Sequence, residues 1–244
     1  MKQIIVIPAR MGGSRLPGKP LIEIKGIPMI ERVWNQCIKV KNQSEIYVAT
    51  EDIEIEEFCN SKGIQSVNTG PAPTAIDRIK LFSDKVEADS YINVQGDEPI
   101  VNTKDIEKIL NYNKKHPNRI IFGKAEANKD EFNDYSKAKV VCNKKNKLLY
   151  CSRAGIPLNN RGVYTKAFRA IWIYAFNKQS LDNYYEAYGK SMIEEIEDTE
   201  ILRFLEIDIP VYCIDLIGDS WAVDERKDLL EVERRLIKIE KNKL

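Results

Sequence analysis

The chain has 244 residues, of which 43% are hydrophobic and 31% charged, and its formal net charge is +1. This composition is typical of a globular protein, and the near-zero charge gives no reason to expect a nucleic-acid or membrane partner. Five scattered cysteines without a C-x-x-C pair argue against a disulfide framework or structural zinc and favour a reducing cytoplasm. Because His116 is the only histidine, a histidine-based triad or metal site within one chain is excluded.

The chain begins with a short apolar run that leads into a basic, glycine-rich segment. Residues 4–7 are an apolar run of four bounded by Pro8, which predicts a buried strand. Residues 10–20 then hold three glycines, two prolines and three cations. Because glycine lets backbone N–H groups approach an anion and Arg and Lys add charge-assisted hydrogen bonds, this segment predicts a phosphate site. Lys19 is followed by Pro20, so the segment is not a P-loop, and a basic surface loop is the alternative.

Apolar strands and amphipathic helices alternate through the first half of the chain, which predicts a mostly parallel sheet with helices on both faces. Further strands are predicted at residues 45–50, 66–67 and 91–94. Helices are predicted at residues 28–40, 53–62, 75–86 and 103–116. We expect the last helix to have Thr103 as its N-cap, with Glu107 near the reciprocal position.

In the second half, several predicted strands follow one another directly. They lie at residues 120–127, 138–143, 148–152, 168–176 and 211–216, with a hairpin loop at 144–147 and a polar loop up to 166. Helical patterning covers residues 181–205, and an amphipathic helix over 224–240 closes the chain. We therefore expect one α/β domain over residues 1–244 with a smaller β excursion at about 135–165.

Four segments of the chain resemble the CMP-Kdo synthetases, which are 3-deoxy-manno-octulosonate cytidylyltransferases. The segments are residues 8–21, 91–99, 150–157 and 223–229, in family order. The resemblance implies a three-layer nucleotidyltransferase fold and the transfer of CMP from CTP to a 3-deoxy-ulosonic sugar acid such as Kdo, with release of pyrophosphate. It also implies a Mg²⁺ cofactor, a homodimer formed through the β excursion, and a place in lipopolysaccharide or capsule synthesis.

The resemblance further implies roles for residues near the predicted phosphate site. Arg15 and Lys19 would stabilise the departing pyrophosphate, and Asp97, which follows an apolar strand directly, would act with them in catalysis. Asp97 and Asp224 would hold Mg²⁺, which prefers carboxylates and phosphate oxygens, and a cap or turn role is the alternative for each. The nucleotide is expected to contact Ala9, Arg10, Gly12, Gly13, Ser14, Arg15, Lys19, Thr74, Arg78 and Gln95. An exposed helix arginine is the alternative for Arg78.

The acceptor side of the site matches the family less well. Contacts with the acceptor are expected from Gln95, Ser152, Arg153, Arg169, Tyr174 and Glu200. However, Ala170 replaces a sugar-contacting histidine of the family, Trp172 replaces a glycine, and residues 199–203 lack a family glutamine. Because polar groups paired with sugar hydroxyls set specificity, the same chemistry on a different sugar acid or a phosphorylated acceptor is an alternative. A structural ion pair is the alternative for Arg153, and a nucleotide-binding protein without turnover is the non-enzymatic alternative.

Overall fold

A computed structural model describes residues 1–13, 15–187 and 189–241 of the chain. The strands are β1 (Gln3–Pro8), β2 (Glu23–Ile24), β3 (Ile27–Pro28), β4 (Ile46–Thr50), β5 (Ser66–Asn68), β6 (Ser90–Val94), β7 (Ile120–Ala127), β8 (Lys139–Cys142), β9 (Leu148–Ser152), β10 (Ala167–Phe176) and β11 (Val211–Asp215). The helices are α1 (Met29–Cys37), α2 (Ile53–Ser61), α3 (Ala75–Ser83), α4 (Thr103–Lys115), α5 (Lys129–Asn133), α6 (Lys178–Glu186), α7 (Met192–Glu197), α8 (Leu202–Glu206) and α9 (Arg226–Lys241).

Nine of the described strands form one sheet, whose main path runs β11-β7-β10-β6-β1-β4-β5. Neighbours along this path are parallel except where β10 pairs with β6 and with β7. The prediction of a mostly parallel sheet is confirmed, and β10 is its reversed strand. Strands β2 and β3 form a separate small hairpin.

The central strand β1 is buried along its whole length and divides the core into two layers. Ile5 and Ile7 pack on one side of the sheet and Ile4 and Val6 on the other, because successive strand residues alternate between faces. Helices α1, α2 and α4 cover the first side, and α3, α6 and α8 cover the second. The expected three-layer α/β architecture is therefore confirmed.

The closing helix α9 packs against the segment that follows β1. Val232 and Leu236 of α9 are buried together with Leu16, Ile24 and Val223. Leu16 belongs to the basic loop and Val223 precedes Asp224 in the chain. This apolar cluster therefore holds the C-terminal segment beside the basic loop.

The predicted β excursion is continuous with the main sheet. Strand β8 pairs with both β10 and β9. The hairpin between β8 and β9 reaches β11, where the backbone N–H of Cys213 donates to the carbonyl oxygen of Asn146 at 2.8 Å. Residues 153–166 continue as turns and loops. The division into one domain with an excursion remains a prediction.

Some predicted element boundaries are wrong. The N-cap of α4 is Asn102 rather than Thr103, since the Asn102 side chain accepts a hydrogen bond from the backbone N–H of Lys104 at 2.9 Å. The helical pattern over 181–205 is divided among α6, α7 and α8, and Asp198 ends α7 with a left-handed φ of 46°. The last helix begins at Arg226 and not at residue 224.

Among the described residues, none of the helices combines the length and the apolar character that crossing a bilayer requires.

Candidate active site

The carboxyl ends of β1 and β6 approach each other closely at Gly96. A Cβ atom on Gly96 would lie 2.5 Å from the carbonyl oxygen of Pro8, a distance too short for any side chain. Glycine therefore lets the two strand ends lie side by side, with Gln95 before it and Asp97 after it. Polar side chains at this edge of the sheet are where α/β proteins build ligand sites.

The basic loop after β1 is held by backbone hydrogen bonds. The N–H groups of Gly13 and Gly18 both donate to the carbonyl oxygen of Met11 at 2.9 Å. The N–H of Met11 donates to Asp52 Oδ2 at 2.7 Å. The 3-10 turn Lys19–Leu21 then ends the loop. The loop is thus anchored to the segment after β4 before any ligand binds.

Two ion pairs connect the basic loop to the two predicted metal carboxylates. Lys19 Nζ donates to Asp97 Oδ2 at 2.7 Å and to the carbonyl oxygen of Val223 at 3.0 Å. Arg15 Nη2 donates to Asp224 Oδ1 at 2.8 Å. The fold therefore brings together four predicted site residues from three distant parts of the sequence.

The Asp224 carboxylate is not the N-terminal cap of α9. The carboxylate of Asp228 accepts the backbone N–H groups of Asp224 and Glu225, at 2.9 and 2.8 Å. The Asp224 side chain instead lines a cavity, where burial and then the nearby Asp97 raise the pKa of Asp224 above its ordinary value. Asp97 and Asp224 thus place like charges close together, an arrangement that a nearby cation stabilises.

A cavity of about 270 Å³ lies beside the two ion pairs. The predicted nucleotide-contacting residues that line it are Ala9, Arg10, Gly13, Arg15, Lys19, Thr74, Arg78 and Gln95. Gly12 is not part of this lining, and Ser14 lies outside the described residues. Within the described part of the chain, the Arg10 side chain makes no hydrogen bond or ion pair. Its guanidinium is therefore available to an anionic ligand.

Arg78 forms a buried wall of this first cavity. The residue is 2% exposed, so the alternative of an exposed helix arginine is wrong. Its Nη1 donates to Thr69 Oγ1 at 2.8 Å, and its Nη2 lies 3.1 Å from Glu51 Oε1. Burial lowers the pKa of Arg78 below its ordinary value. Thr74 is the N-cap of α3, the helix that contains Arg78, and its hydroxyl accepts the N–H of Asp77 at 3.1 Å.

A second cavity of about 260 Å³ adjoins the first. The residues that line both cavities are Arg10, Arg15, Thr74, Gln95, Asp97 and Asp224. The rest of the second cavity includes Arg153, Trp172, Lys190, Asp198 and Glu200. Because Asp97 and Asp224 belong to both linings, ligands in the two cavities would meet at these carboxylates.

The structure brings three of the predicted acceptor-contacting residues to the second cavity: Gln95, Arg153 and Glu200. Arg153 Nε donates to the carbonyl oxygen of Glu197 at 2.8 Å, and its Nη2 donates to that of Asp198 at 3.0 Å. Arg153 therefore closes the C-terminal end of α7 while it lines the cavity. Glu200 Oε2 accepts the N–H of Ile76 at 3.0 Å, and burial raises the pKa of Glu200 to about 7.

The structure does not bring the other three to either cavity: Ser152, Arg169 and Tyr174. Ser152 Oγ donates to Glu197 Oε1 at 2.7 Å. Arg169 forms an ion pair with Glu131 at 2.8 Å. Tyr174 is fully buried in the core of the sheet. The predicted contacts of these three residues with the acceptor therefore remain without support from the cavity linings.

The two aspartates suit a divalent cation that is bound together with a phosphate ligand. Among the described residues, no group of three or more Asp, Glu, His or Cys side chains could hold a metal by itself. Mg²⁺ is commonly held by one or two carboxylates and completes its coordination with phosphate oxygens and water. Asp97 and Asp224 already attract the cationic groups of Lys19 and Arg15, so these carboxylates fit such an ion.

Sequence reasoning missed Lys190 and Asp198, whose charged groups lie 3.9 Å apart in the second cavity. Neither residue belongs to a motif or follows an apolar strand, so the sequence carried no signal for them. For Trp172, the sequence indicated only that a tryptophan replaces a glycine of the resembled family. Its place in the cavity wall depends on an irregularity in β10 that spacing does not reveal.

A polar cavity at the carboxyl edge of a three-layer α/β sheet, lined by a basic loop and two carboxylates, is the kind of site that a nucleotidyltransferase requires. A sequence model of a family described as cytidylyltransferase matches residues 4–211. The chain therefore belongs to the cytidylyltransferase family. As a member of this enzyme family the chain is a nucleotidyltransferase, which removes the support for the non-enzymatic alternative.

Individual relatives match almost the whole chain. The 3-deoxy-manno-octulosonate cytidylyltransferase of Escherichia coli is 35% identical over 225 residues, which is 91% of each chain. The 8-amino-3,8-dideoxy-manno-octulosonate cytidylyltransferase of Shewanella baltica is 32% identical over 243 residues, 97% of this chain and 99% of that one. A solved CMP:2-keto-3-deoxy-manno-octonic acid synthetase complexed with CTP has a TM-score of 0.90 at 33% identity, covering 98% and 99% of the two chains. The resemblance predicted from the four segments is confirmed.

Proposed function

We propose that the chain transfers CMP from CTP to a 3-deoxy-ulosonic acid such as Kdo and releases pyrophosphate. The observation that carries this proposal is the pair of adjoining cavities with Asp97 and Asp224 in both linings. The names of the relatives and the CTP complex of the solved structure support CTP as the donor and a sugar acid as the acceptor.

The first cavity suits the triphosphate of the donor. Arg10 makes no side-chain hydrogen bond or ion pair with the described residues, and Arg15 and Lys19 carry their charges on the adjacent loop. When the bond between the α-phosphorus and its bridging oxygen breaks, negative charge builds on the departing pyrophosphate. Cations held in place before the reaction stabilise this charge, which is usually the largest contribution that such a site makes to catalysis.

The second cavity suits the acceptor. The acceptor hydroxyl attacks the α-phosphorus from the side opposite to the departing pyrophosphate. An acceptor in the second cavity and a triphosphate in the first would meet at Asp97 and Asp224, where this in-line geometry is possible. Arg153 and Lys190, with side chains 32% and 40% exposed, supply positive charge for the acceptor carboxylate.

Members of this enzyme family generally need a divalent metal, and we propose Mg²⁺ held by Asp97 and Asp224. When bound, this ion supplies charge neutralisation and orientation of the phosphates. We also propose a homodimer formed through the excursion, which is supported by its exposed apolar residues Leu149, Leu158 and Val163. A cytoplasmic location, where CTP is available, and a place in lipopolysaccharide or capsule synthesis complete the proposal.

The test is pyrophosphate release from CTP and Mg²⁺ with a panel of acceptors. The panel contains Kdo, its 8-amino analogue, another ulosonic acid and a phosphorylated polyol. We expect turnover with Kdo, and we expect Asp97→Asn to lower kcat by about 10²-fold or more. The matched control is Asp89→Asn, because Asp89 lies near the opposite end of β6 and contacts the N–H of Lys2.

Two outcomes would contradict the proposal in different ways. Turnover with the phosphorylated polyol alone would keep the chemistry and replace the acceptor class. No pyrophosphate release with any acceptor, from protein that still binds CTP, would reject cytidylyl transfer to a sugar acid.

A further inference from the structure

Trp172 lies at an irregularity in β10 that opens next to the candidate active site. Along the β10–β7 pairing, Ile171 is opposite Gly123 and Tyr174 is opposite Phe122, so two residues of β10 have no partner between them. Bulges of this kind re-aim side chains and are frequent beside active sites. Trp172 is therefore displaced from the regular alternation of its strand.

The facing strand is shaped to accept this irregularity. A Cβ atom on Gly123 would lie 2.7 Å from the carbonyl oxygen of Ile171 and 2.5 Å from Leu216 Cδ1. Only glycine allows β10 to approach β7 this closely. On its other side, β10 pairs Ile173 with Val94, the last residue of β6. Trp172 consequently lies at the strand end that continues into Gln95.

The indole of Trp172 is supported from behind and open toward the second cavity. Its ring centroid lies 5.7 Å from that of Phe122 and 6.4 Å from that of Tyr174. The residue is half-buried and lines the second cavity together with Gln95 and Asp97. A ring held by two buried aromatic neighbours presents a fixed plane at low entropic cost to a ligand.

The polar groups of the second cavity complement this plane. Arg153 and Lys190 contribute positive charge, and Asp198 contributes a carboxylate that is 73% exposed. A sugar acid in its ring form has one carboxylate, several hydroxyl groups and a face made of C–H groups. The electron-rich face of an indole attracts such C–H groups, while the cations suit the carboxylate.

We propose that Trp172 is a specificity-determining residue whose indole stacks on the C–H face of the ring-form acceptor. This inference rests on the proposed function, because it concerns the acceptor of the same reaction. The contact is made before and during the reaction alike. Trp172 therefore contributes uniform binding of the acceptor rather than stabilisation of the transition state.

The first experiment compares Trp172→Leu and Trp172→Phe with the wild type in steady-state kinetics. We expect Trp172→Leu to raise the acceptor KM about tenfold and Trp172→Phe about threefold, with kcat and the KM for CTP within about twofold. Trp34→Phe is the matched control, because Trp34 packs against the core on α1 and lines neither cavity. An unchanged acceptor KM in both Trp172 variants would overturn the proposal.

The second experiment measures binding without turnover. The chain contains three tryptophans, so a Trp34→Phe/Trp221→Phe double variant leaves Trp172 as the single tryptophan, which is excited at a wavelength that tyrosine does not absorb. We expect its fluorescence to change on titration with Kdo in the absence of metal and CTP. No change at concentrations that saturate the wild-type enzyme would overturn the stacking contact.

The two experiments separate this inference from the proposed function. If the wild type releases pyrophosphate and the Trp172 variants behave like it, only the inference fails. If the wild type releases no pyrophosphate with any sugar acid, the proposed function fails, and the emission of Trp172 alone decides whether a sugar acid binds there.

Discussion

The guanidinium of Arg203 lies 3.0 Å from the carboxylate of Asp77, measured from Nη1 to Oδ1, and so joins α8 to α3 inside the core. The same guanidinium donates through Nε to Glu194 Oε2 at 2.7 Å and stacks on the ring of Tyr184 at 3.8 Å. Arg203 is 1% exposed. One buried cation therefore connects α3, which begins at the first cavity, with α7, whose Glu194 lines the second cavity.

Replacing Arg203 with Met should destabilise the fold strongly. The substitution leaves Asp77 and Glu194 as buried carboxylates without their cation, and breaking such a pair costs about 3–5 kcal/mol. Denaturant unfolding at neutral pH measures the change in the free energy of unfolding. Arg234→Met is the control, because Arg234 is 73% exposed in its pair with Glu231, and we expect a loss below about 0.5 kcal/mol. Equal losses in the two variants would contradict the role given to Arg203.

Replacing Lys19 with Met should reduce catalysis without unfolding the protein. Lys19 contacts Asp97 at the site of the proposed leaving group, so its removal should lower kcat by about 10²–10³-fold. Lys25→Met is the matched control, because Lys25 pairs with Glu240 at 2.9 Å outside both cavities. The idea fails if Lys19→Met keeps kcat within twofold of the wild type while its thermal unfolding is unchanged.

The stability of the protein should depend on pH through Glu200, whose pKa is raised by burial to about 7 from 4.5. Between these two values the native state keeps a proton that the unfolded state has lost, so the free energy of unfolding falls as pH rises. Above pH 7 the buried carboxyl of Glu200 is ionised, which lowers the free energy of unfolding by up to about 3 kcal/mol. The titratable groups that interact with Glu200 are Asp77 on α3, Tyr174 on β10, Tyr184 on α6 and Glu194 on α7.

Glu200→Gln tests this dependence. The amide keeps an oxygen that accepts the N–H of Ile76 but carries no charge. We expect the variant to be more stable than the wild type at pH 8 and equally stable near pH 4, measured by denaturant unfolding at both values. Glu107→Gln, on the exposed face of α4, is the control and should have the same free energy of unfolding as the wild type at both pH values. A variant that is less stable at pH 8 would show that the charge of Glu200 is stabilising.

Gly96→Ala should damage the fold and the reaction together. Its Cβ would lie 2.5 Å from the carbonyl oxygen of Pro8, so β1 and β6 must separate, at a cost of about 1–3 kcal/mol. The separation also moves Asp97 away from Lys19, and kcat should fall. Gly12→Ala is the control for stability, because among the described residues that are not its chain neighbours no heavy atom lies within 4 Å of a Cβ there. If Gly96→Ala has the same thermal unfolding midpoint as the wild type, the close approach of β1 and β6 at Gly96 is refuted.

The half of the site built on strand ends could be predicted from the sequence. Asp97 follows a fully buried strand, so the carboxyl-edge rule of parallel sheets places it without further information. Lys19 and Arg15 lie in a segment whose glycine and cation content indicates an anion site. The basic composition does not indicate which carboxylate each cation contacts, because that depends on the packing of α9.

The acceptor half could not be predicted in the same way. Residues 181–205 have a helical pattern, but Asp198 adopts a left-handed backbone conformation that ends α7 and turns the chain into the cavity. Arg203 reads as a surface cation by residue type, and its burial depends on carboxylates that lie 126 and 9 residues away in sequence. The position of Trp172 in the second cavity depends on a bulge in β10, and this bulge requires Gly123 on the neighbouring strand β7. Each of these features arises from tertiary contacts rather than from local periodicity.

In the pairs Lys19–Asp97 and Arg15–Asp224, two cations and two carboxylates already balance one another before a ligand binds. A lone anion such as inorganic phosphate could approach Arg10, but to reach Lys19 and Arg15 it would have to take both cations from their partners and leave two carboxylates repelling each other. A ligand that brings charge of both signs, as a nucleoside triphosphate with its own counter-cation does, replaces both halves of each pair at once. We therefore expect these two ion pairs to favour a nucleoside triphosphate with its counter-cation over a simple phosphate.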